Sequence, residues 1–318
     1  MRLRAALASL LLLTFACARS VQQGTESSDR PVLTATPVTT IPPTTTTIVV
    51  PPLSAYPVDV GWVTDLEDDS AERAAIELGL RISLATGIEG PSPFTVIAYR
   101  DEASLLNAWM YVSGDTLDEA SERWETMQGM AYTTGHGWVI FVHVDQPDSD
   151  WFRRVLVSTT IHEWFHLHEY AATPGKYGGD RDRDAAPMWF TEGSADWFAY
   201  ATMDVAGVPP LEGTPRDGLD YEIDPFPGLG AWESRDGFES DPRAYEASEG
   251  AVDLLVETVG CQAVLDDYWH GRSGYQGSWR DVFAYAFHMT VEEFYALVDE
   301  YVADHGRADR GHQIIRMS

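Results

Sequence analysis

The sequence predicts an α+β fold, with a small mixed or antiparallel sheet and helices in the N-terminal half and a mostly helical C-terminal half. Runs of apolar and β-branched residues that suit strands occur only before Asp148. After Asp148, apolar residues recur at helical spacing. The chain has 318 residues, 44% of them hydrophobic and 12% aromatic, which is enough for a packed core and excludes a wholly disordered chain.

The N-terminal half alternates helix and strand patterns. Apolar residues recur at helical spacing from Glu67 to Ala85, and the pattern stops at Gly87. The run from Phe94 to Tyr99 is typical of a strand. Two short helices with acidic starts are expected at 101–111 and 118–127, and two strands at 130–134 and 137–144.

The C-terminal half reads as helices joined by one long irregular segment. Helices are expected at residues 150–171, 187–203, 243–259, 261–269, 279–287 and 290–304. The segment between Val205 and Asp241 is acidic, rich in Gly and Pro, and without a clear period. A loop of this length in a compact domain is usually functional or mobile.

The N-terminus has the features of an export signal. Arg2 and Arg4 precede an apolar run from Ala5 to Ala16 that is too short to span a bilayer. The run ends at Cys17 and resembles the lipobox of bacterial lipoproteins, in which a cysteine after a small residue receives lipid. We therefore expect residues 1–17 to direct export and Cys17 to anchor the protein at the outer face of the cytoplasmic membrane, with plain secretion or an uncleaved anchor as alternatives.

Composition divides the remaining chain into three parts. Residues 18–57 are rich in Thr, Pro and Val and lack helical periodicity, so we expect an extended linker there. One folded domain is expected over 58–305, followed by a tail over 306–318.

The charge of the chain argues against a nucleic-acid partner. The sequence has 21 Lys and Arg against 50 Asp and Glu, a formal net charge of −29, and Lys176 is its single lysine. A surface this acidic repels phosphate. With 2 cysteines, a framework of several disulfides is also ruled out.

The predicted helix at 150–171 carries the pattern His162-Glu163-x-x-His166. Residues four apart on a helix project from the same face, so both imidazoles can bind one Zn²⁺. Glu163 stands beside them, where it can activate water for hydrolysis.

A second helix supplies two acids, Glu192 and Asp196, one turn apart. Glu192 is the expected third zinc ligand, and Asp196 is expected to accept the free N–H of a ligating histidine and so fix its tautomer. Two His and one Glu leave a fourth position for water, as in catalytic zinc sites.

The second motif is Trp189-Phe190-Thr191-Glu192-Gly193-Ser194-Ala195-Asp196. Together the two motifs resemble those of the gluzincin metallopeptidases, the group that includes thermolysin and the aminopeptidase N family. The second motif is most similar to the aminopeptidase-N-like branch and to the small bacterial peptidases that share its catalytic core. The resemblance implies a small sheet whose edge strand lies above the active-site helix. We expect residues 137–144 to form that edge strand, where an extended peptide can add by backbone hydrogen bonds.

The resemblance also implies a hydrogen-bond donor for the oxyanion formed during hydrolysis. The aminopeptidase-N-like family uses a tyrosine at the start of a helix, in a Tyr-x-Lys-Gly setting, and Tyr245 stands at the corresponding place. Ala247 and Ser248 replace the family's lysine and glycine. His270 and His288 are rival candidates, because thermolysin-like members use a histidine for this task.

The activity implied is that of a zinc-dependent peptidase acting on a peptide or protein. The Gly-x-Met-Glu-Asn box, with which the aminopeptidases bind the free amine of the substrate, does not occur before His162. We therefore expect an endopeptidase or a narrow processing peptidase. Two alternatives remain open: a catalytically weak or inactive surface protein that binds partners through residues 205–241, and a zinc hydrolase of non-peptide amides.

Overall fold

The computed structural model describes residues 50–124, 128–134, 137–144, 149–173, 186–211, 214–220, 226–270 and 277–316. The predicted signal peptide, Cys17 and the linker up to residue 49 lie outside these ranges. None of the helices in the described ranges is both long and apolar enough to cross a membrane.

A four-stranded mixed sheet forms the N-terminal half. Its strands β1 (Val60–Thr64), β2 (Phe94–Tyr99), β3 (Gly129–Thr134) and β4 (Gly137–His143) lie in the order β1-β2-β4-β3. β1, β2 and β4 are parallel, and β3 is antiparallel to β4. This mixed sheet with helices agrees with the predicted α+β class. The sequence does not predict β1, because this strand is short, contains Gly61 and buries none of its residues fully.

The prediction that residues 137–144 form the edge strand is wrong. β4 is paired on both sides, with β2 and with β3, and β3 is the outer strand. β4 lies inside the sheet because both of its faces are buried. Its residues Val139 to Val142 form a continuous buried apolar run, which is typical of a central strand.

Helices cover both faces of the sheet. α1 (Ala71–Ala85) and α4 (Asp150–Ala172) pack on the face that carries Val96, Ile140 and Val142. On the other face, α2 (Glu102–Ser113) and α3 (Leu117–Trp124) bury Trp109 and Trp124 against Phe141.

The C-terminal half is helical, as predicted. Its helices are α5 (Met188–Ala206), α6 (Asp217–Asp220), α7 (Arg235–Glu239), α8 (Ala244–Val259), α9 (Trp279–Phe287) and α10 (Val291–Arg316), with a 3₁₀ turn at Leu229–Trp232 and a π-helical turn at Ala263–Asp267. The described part of 205–241 therefore contains short helices. α10 continues beyond Asp304, through Gly306, because one glycine costs a helix only about 1 kcal/mol.

The folded part begins earlier than the sequence predicts. Val50 is buried, and the Arg81 guanidinium donates hydrogen bonds to the carbonyl oxygens of Val50 and Pro51. The residues from 50 to 57, assigned to the linker, are therefore docked on α1.

The two helices that carry the motifs are fixed by buried aromatic side chains. Each of six rings is at most 1% exposed: Trp164, Phe165, Trp189, Phe190, Trp197 and Phe198. The rings of Phe165 on α4 and Phe198 on α5 are 4.8 Å apart between centroids. Burial of such a side chain contributes about 1.5–3 kcal/mol, so the relative position of α4 and α5 is strongly determined.

Candidate metal centre

Helix α4 presents both motif histidines to α5. The Ser149 hydroxyl caps its N-terminus by accepting a hydrogen bond from the Phe152 amide at 3.0 Å. His162 and His166 lie one turn apart, with ring centroids 4.6 Å from each other. Opposite them, α5 carries Glu192 in its second turn.

Three ligand atoms converge on one point. The Nε2 atoms of His162 and His166 are 2.9 Å apart, and Glu192 Oε2 lies 3.3 Å from the first and 3.5 Å from the second. Ligand atoms bound tetrahedrally to zinc at about 2.0–2.2 Å stand about 3.3–3.6 Å from one another, so the two distances to Glu192 match this geometry and the two imidazole nitrogens lie slightly closer together. Within the described ranges, this is the one group of three or more metal-ligating side chains. Two imidazoles and one carboxylate thus fit a divalent ion such as Zn²⁺.

Each histidine has a carboxylate on its other nitrogen. Asp196 Oδ1 lies 2.6 Å from Nδ1 of His162, where the sequence predicts it, and Glu169 Oε2 lies 2.8 Å from Nδ1 of His166. A carboxylate that accepts from Nδ1–H leaves the Nε2 lone pair for the metal. Glu169 was missed in the sequence analysis, although its position three residues after His166 puts both on one helix face.

Glu163 lies beneath the outer strand. It is 6% exposed, and the backbone N–H of Ala131 in β3 faces its carboxyl group and favours the ionised form. Burial raises the pKa of Glu163, although the neighbouring His162 and His166 act in the opposite direction. A carboxyl group with a raised pKa suits a residue that takes a proton and later returns it.

The imidazoles and carboxylates of the candidate centre lie close together, so the charge of each shifts the pKa of its neighbours. Burial by itself would lower the pKa of His166, but the charges of Glu192 and Glu169 outweigh burial and raise it to about 10. The opposite holds for Glu192. Burial by itself would raise the pKa of its carboxyl group, but the two histidines hold that pKa below its ordinary value.

Of the three candidate oxyanion donors, Tyr245 is the one near the site. It lies in the first turn of α8 with its ring packed on Phe238, 4.6 Å between centroids, and it is 41% exposed. Burial raises the pKa of its hydroxyl, and the charges of Glu192 and Asp196 raise it further.

The two rival histidines are placed elsewhere. Nδ1 of His270 lies 2.7 Å from Oδ1 of Asp266, and the centroid of its ring lies 5.8 Å from the ring centroid of His168. His168 lies two residues past His166, about 200° around the helix, and contacts the carbonyl oxygens of Glu89 and Leu265. His288 is exposed at the C-terminal cap of α9.

Two further residues near the site carried no motif. Tyr170 stacks on His166 with centroids 6.3 Å apart and planes at 16°, and burial and the charges of Glu169 and Glu192 raise the pKa of its hydroxyl. Arg235 on α7 pairs with Glu239 at 2.9 Å. Burial by itself would lower the pKa of the Arg235 guanidinium, but the charge of Glu192 raises it. Tyr170 could have been found by its spacing of four from His166, whereas nothing in the sequence marks Arg235.

The charges and distances of these side chains define what the centre can bind. No protein-family model, curated protein or solved structure matches this chain.

Proposed function

We propose that the protein is an exported, zinc-dependent peptidase, acting as an endopeptidase or a narrow processing peptidase. The observation that carries the proposal is the convergence of His162, His166 and Glu192 within 3.5 Å of one another, with the carboxylate of Glu163 beside them. Three protein ligands of this type leave a coordination position open, which distinguishes catalytic zinc sites from structural ones.

The protein's own residues supply the proton transfers. Zinc, when held by the three ligands, would polarise the scissile carbonyl and lower the pKa of water. Glu163 accepts the proton of the attacking water and delivers it to the leaving amine nitrogen. The nearby Ala131 N–H favours the ionised form of Glu163 that accepts this proton.

Tyr245 is assigned the stabilisation of the developing oxyanion. Its phenol pKa is raised, so the hydroxyl keeps its proton at neutral pH and can donate it in a hydrogen bond. The neighbouring carboxylates Glu192 and Asp196 disfavour a phenolate at this place.

The outer strand offers a binding surface for an extended substrate. β3 pairs with β4 on one side only within the described residues, and it passes directly over Glu163. A peptide added to its free edge would lie beside the catalytic carboxylate. The role first expected of residues 137–144 thus passes to β3.

The decisive experiment measures zinc and cleavage together. Purified protein is expected to contain about one zinc per chain, to hydrolyse an unfolded protein such as casein, and to lose this activity on chelation. Glu163→Gln should keep the zinc and lose about 10²–10⁴-fold in rate.

Three results would contradict the proposal. Bound zinc without any cleavage would favour the surface-binding alternative, and near-wild-type cleavage by Glu163→Gln would remove the assigned proton carrier. Cleavage of a small amide but of no peptide would favour the non-peptide hydrolase.

The proposed location is the outer face of the cytoplasmic membrane. Support comes from the basic and apolar residues 1–16 followed by Cys17. Cys17→Ser is expected to move the protein from the membrane fraction to the soluble fraction. Unchanged fractionation would contradict the lipid anchor.

A further inference from the structure

We propose that Glu169 is a positioning residue of the metal centre, which fixes the imidazole of His166. The inference rests on the metal site of the proposed function, but it does not depend on peptide hydrolysis. Glu169 belongs to neither of the two motifs, since it follows His162-Glu163-x-x-His166 on the same helix.

The contacts of Glu169 define its role. Its Oε2 lies 2.8 Å from Nδ1 of His166, and its Oε1 lies 3.3 Å from the Ser194 hydroxyl, whose single proton is shared between this oxygen and the Thr191 carbonyl oxygen at 3.2 Å. Because the carboxylate accepts from Nδ1–H, the ring of His166 is held with Nε2 toward Glu192 and His162. Ser194 on α5 thereby ties the helix of Glu192 to the helix of the two histidines.

Burial distinguishes Glu169 from Asp196, the carboxylate on the other histidine. The side chain of Glu169 is 0% exposed, whereas that of Asp196 is 30% exposed. Water can therefore replace Asp196 as the partner of His162 when that carboxylate is lost, but it does not reach the place of Glu169. We infer that His166 depends on its carboxylate more than His162 does.

A purely structural role predicts a different result. An ionised carboxylate inside a protein destabilises the fold unless a charged or hydrogen-bonding partner lies next to it, and His166 is that partner for Glu169. If Glu169 served the core alone, its replacement would lower stability and leave the metal site of the folded protein unchanged. Metal affinity and the spectrum of the bound metal separate the two cases.

The test compares three isosteric variants. Glu169→Gln and Asp196→Asn remove the two charges, and Glu72→Gln removes a buried carboxylate that pairs with Arg100 at 2.8 Å, away from the centre. Zinc dissociation constants are measured by chelator competition, and visible spectra are recorded after loading with Co²⁺.

We expect Glu169→Gln to raise the zinc dissociation constant by about 10–100-fold and to shift the Co²⁺ bands. The rise for Asp196→Asn should be smaller, and Glu72→Gln should bind like the wild type. Folded Glu169→Gln with wild-type affinity and spectrum, or a larger effect of Asp196→Asn, would overturn the inference. Absence of metal binding by the wild type would instead overturn the proposed function.

A measurement on the wild type covers the case in which Glu169→Gln does not fold. Long-range ¹H–¹⁵N correlation of the zinc-loaded protein identifies which ring nitrogen of His166 carries the proton. A proton on Nδ1 supports the assigned contact with Glu169, and a metal on Nδ1 overturns it.

Discussion

Gly129 lies directly against Glu163. A β-carbon built on Gly129 would stand 2.9 Å from Glu163 Oε1 and would also overlap the side chain of Thr159. The outer strand therefore passes the proposed proton carrier at a distance that only glycine permits. This approach is what brings the Ala131 N–H to the Glu163 carboxylate.

Gly129→Ala is expected to reduce hydrolysis by about 10-fold or more, because either Glu163 or the strand must move and a misplaced catalytic group is costly. Zinc affinity should change little, since the contact involves none of the three ligands. Rates and zinc dissociation constants of the folded variant check this.

The control for Gly129→Ala is Gly61→Ala in the opposite edge strand, where the added β-carbon would be 3.1 Å from Thr95 Oγ1. That variant should keep its rate. Equal rates for the two alanine variants would contradict the assigned approach of β3 to Glu163.

Tyr245→Phe is expected to lower kcat by about 10²–10³-fold, the usual effect of losing one oxyanion donor. The phenyl ring retains the contact with Phe238, so stability and zinc content should stay near the wild type. Steady-state kinetics with zinc analysis provides the measurement.

Three variants test the other candidates for this role. His270→Gln and His288→Gln should cleave at the wild-type rate, because His270 pairs with Asp266 and His288 is exposed at the C-terminal cap of α9. Tyr170→Phe is the stricter comparison, since Tyr170 stacks on His166. A large loss with Tyr170→Phe and none with Tyr245→Phe would transfer the role to Tyr170.

The parts of the site that could be predicted from the sequence are those set by local spacing. His162 and His166 share one helix face, so their proximity follows from helix geometry. Glu192 and Asp196 required the second motif, and the structure brings both next to the histidines.

The parts that could not be predicted depend on contacts between distant segments. The strand order β1-β2-β4-β3 follows from pairing across the sheet, and β1 has too few buried residues to be recognised alone. Arg235 approaches Glu192 only because the segment before it docks on α5, where the Met188 N–H donates to the Glu233 carbonyl at 3.1 Å. No residue pattern encodes such a contact.

Zinc should stabilise the protein more at higher pH. The pKa of His166 is raised from 6.5 to about 10 in the folded protein without metal. Protonated His166 therefore stabilises the metal-free protein. This stabilisation is fully present below pH 6.5 and is lost as the pH rises through about 10. Zinc binds the neutral imidazole, so binding must release this proton.

The Tm difference between zinc-loaded and metal-free protein, at fixed free zinc, should consequently increase from about pH 6 to about pH 8. Calorimetric titration in buffers of different ionisation enthalpy should show proton release at neutral pH. A Tm difference independent of pH would exclude His166 as a ligand that is protonated in the metal-free protein.

Gly193 fixes the distance between α5 and α8. A β-carbon on Gly193 would stand 2.5 Å from the carbonyl oxygen of Ser248 and 2.6 Å from its carbon, and these backbone atoms cannot rotate away. Gly193→Ala must separate the two helices, at a cost of about 1–3 kcal/mol or more in the free energy of unfolding.

Because Glu192 precedes Gly193 and Tyr245 lies on α8, that separation should also weaken zinc binding and slow hydrolysis. Gly230→Ala is the matched control, since its β-carbon would meet the Tyr295 ring at an ordinary 3.6 Å. Urea unfolding and zinc competition on both variants measure the difference. If Gly193→Ala were as stable and bound zinc as tightly as Gly230→Ala, the close packing of α5 on α8 would not be what holds Glu192 in place.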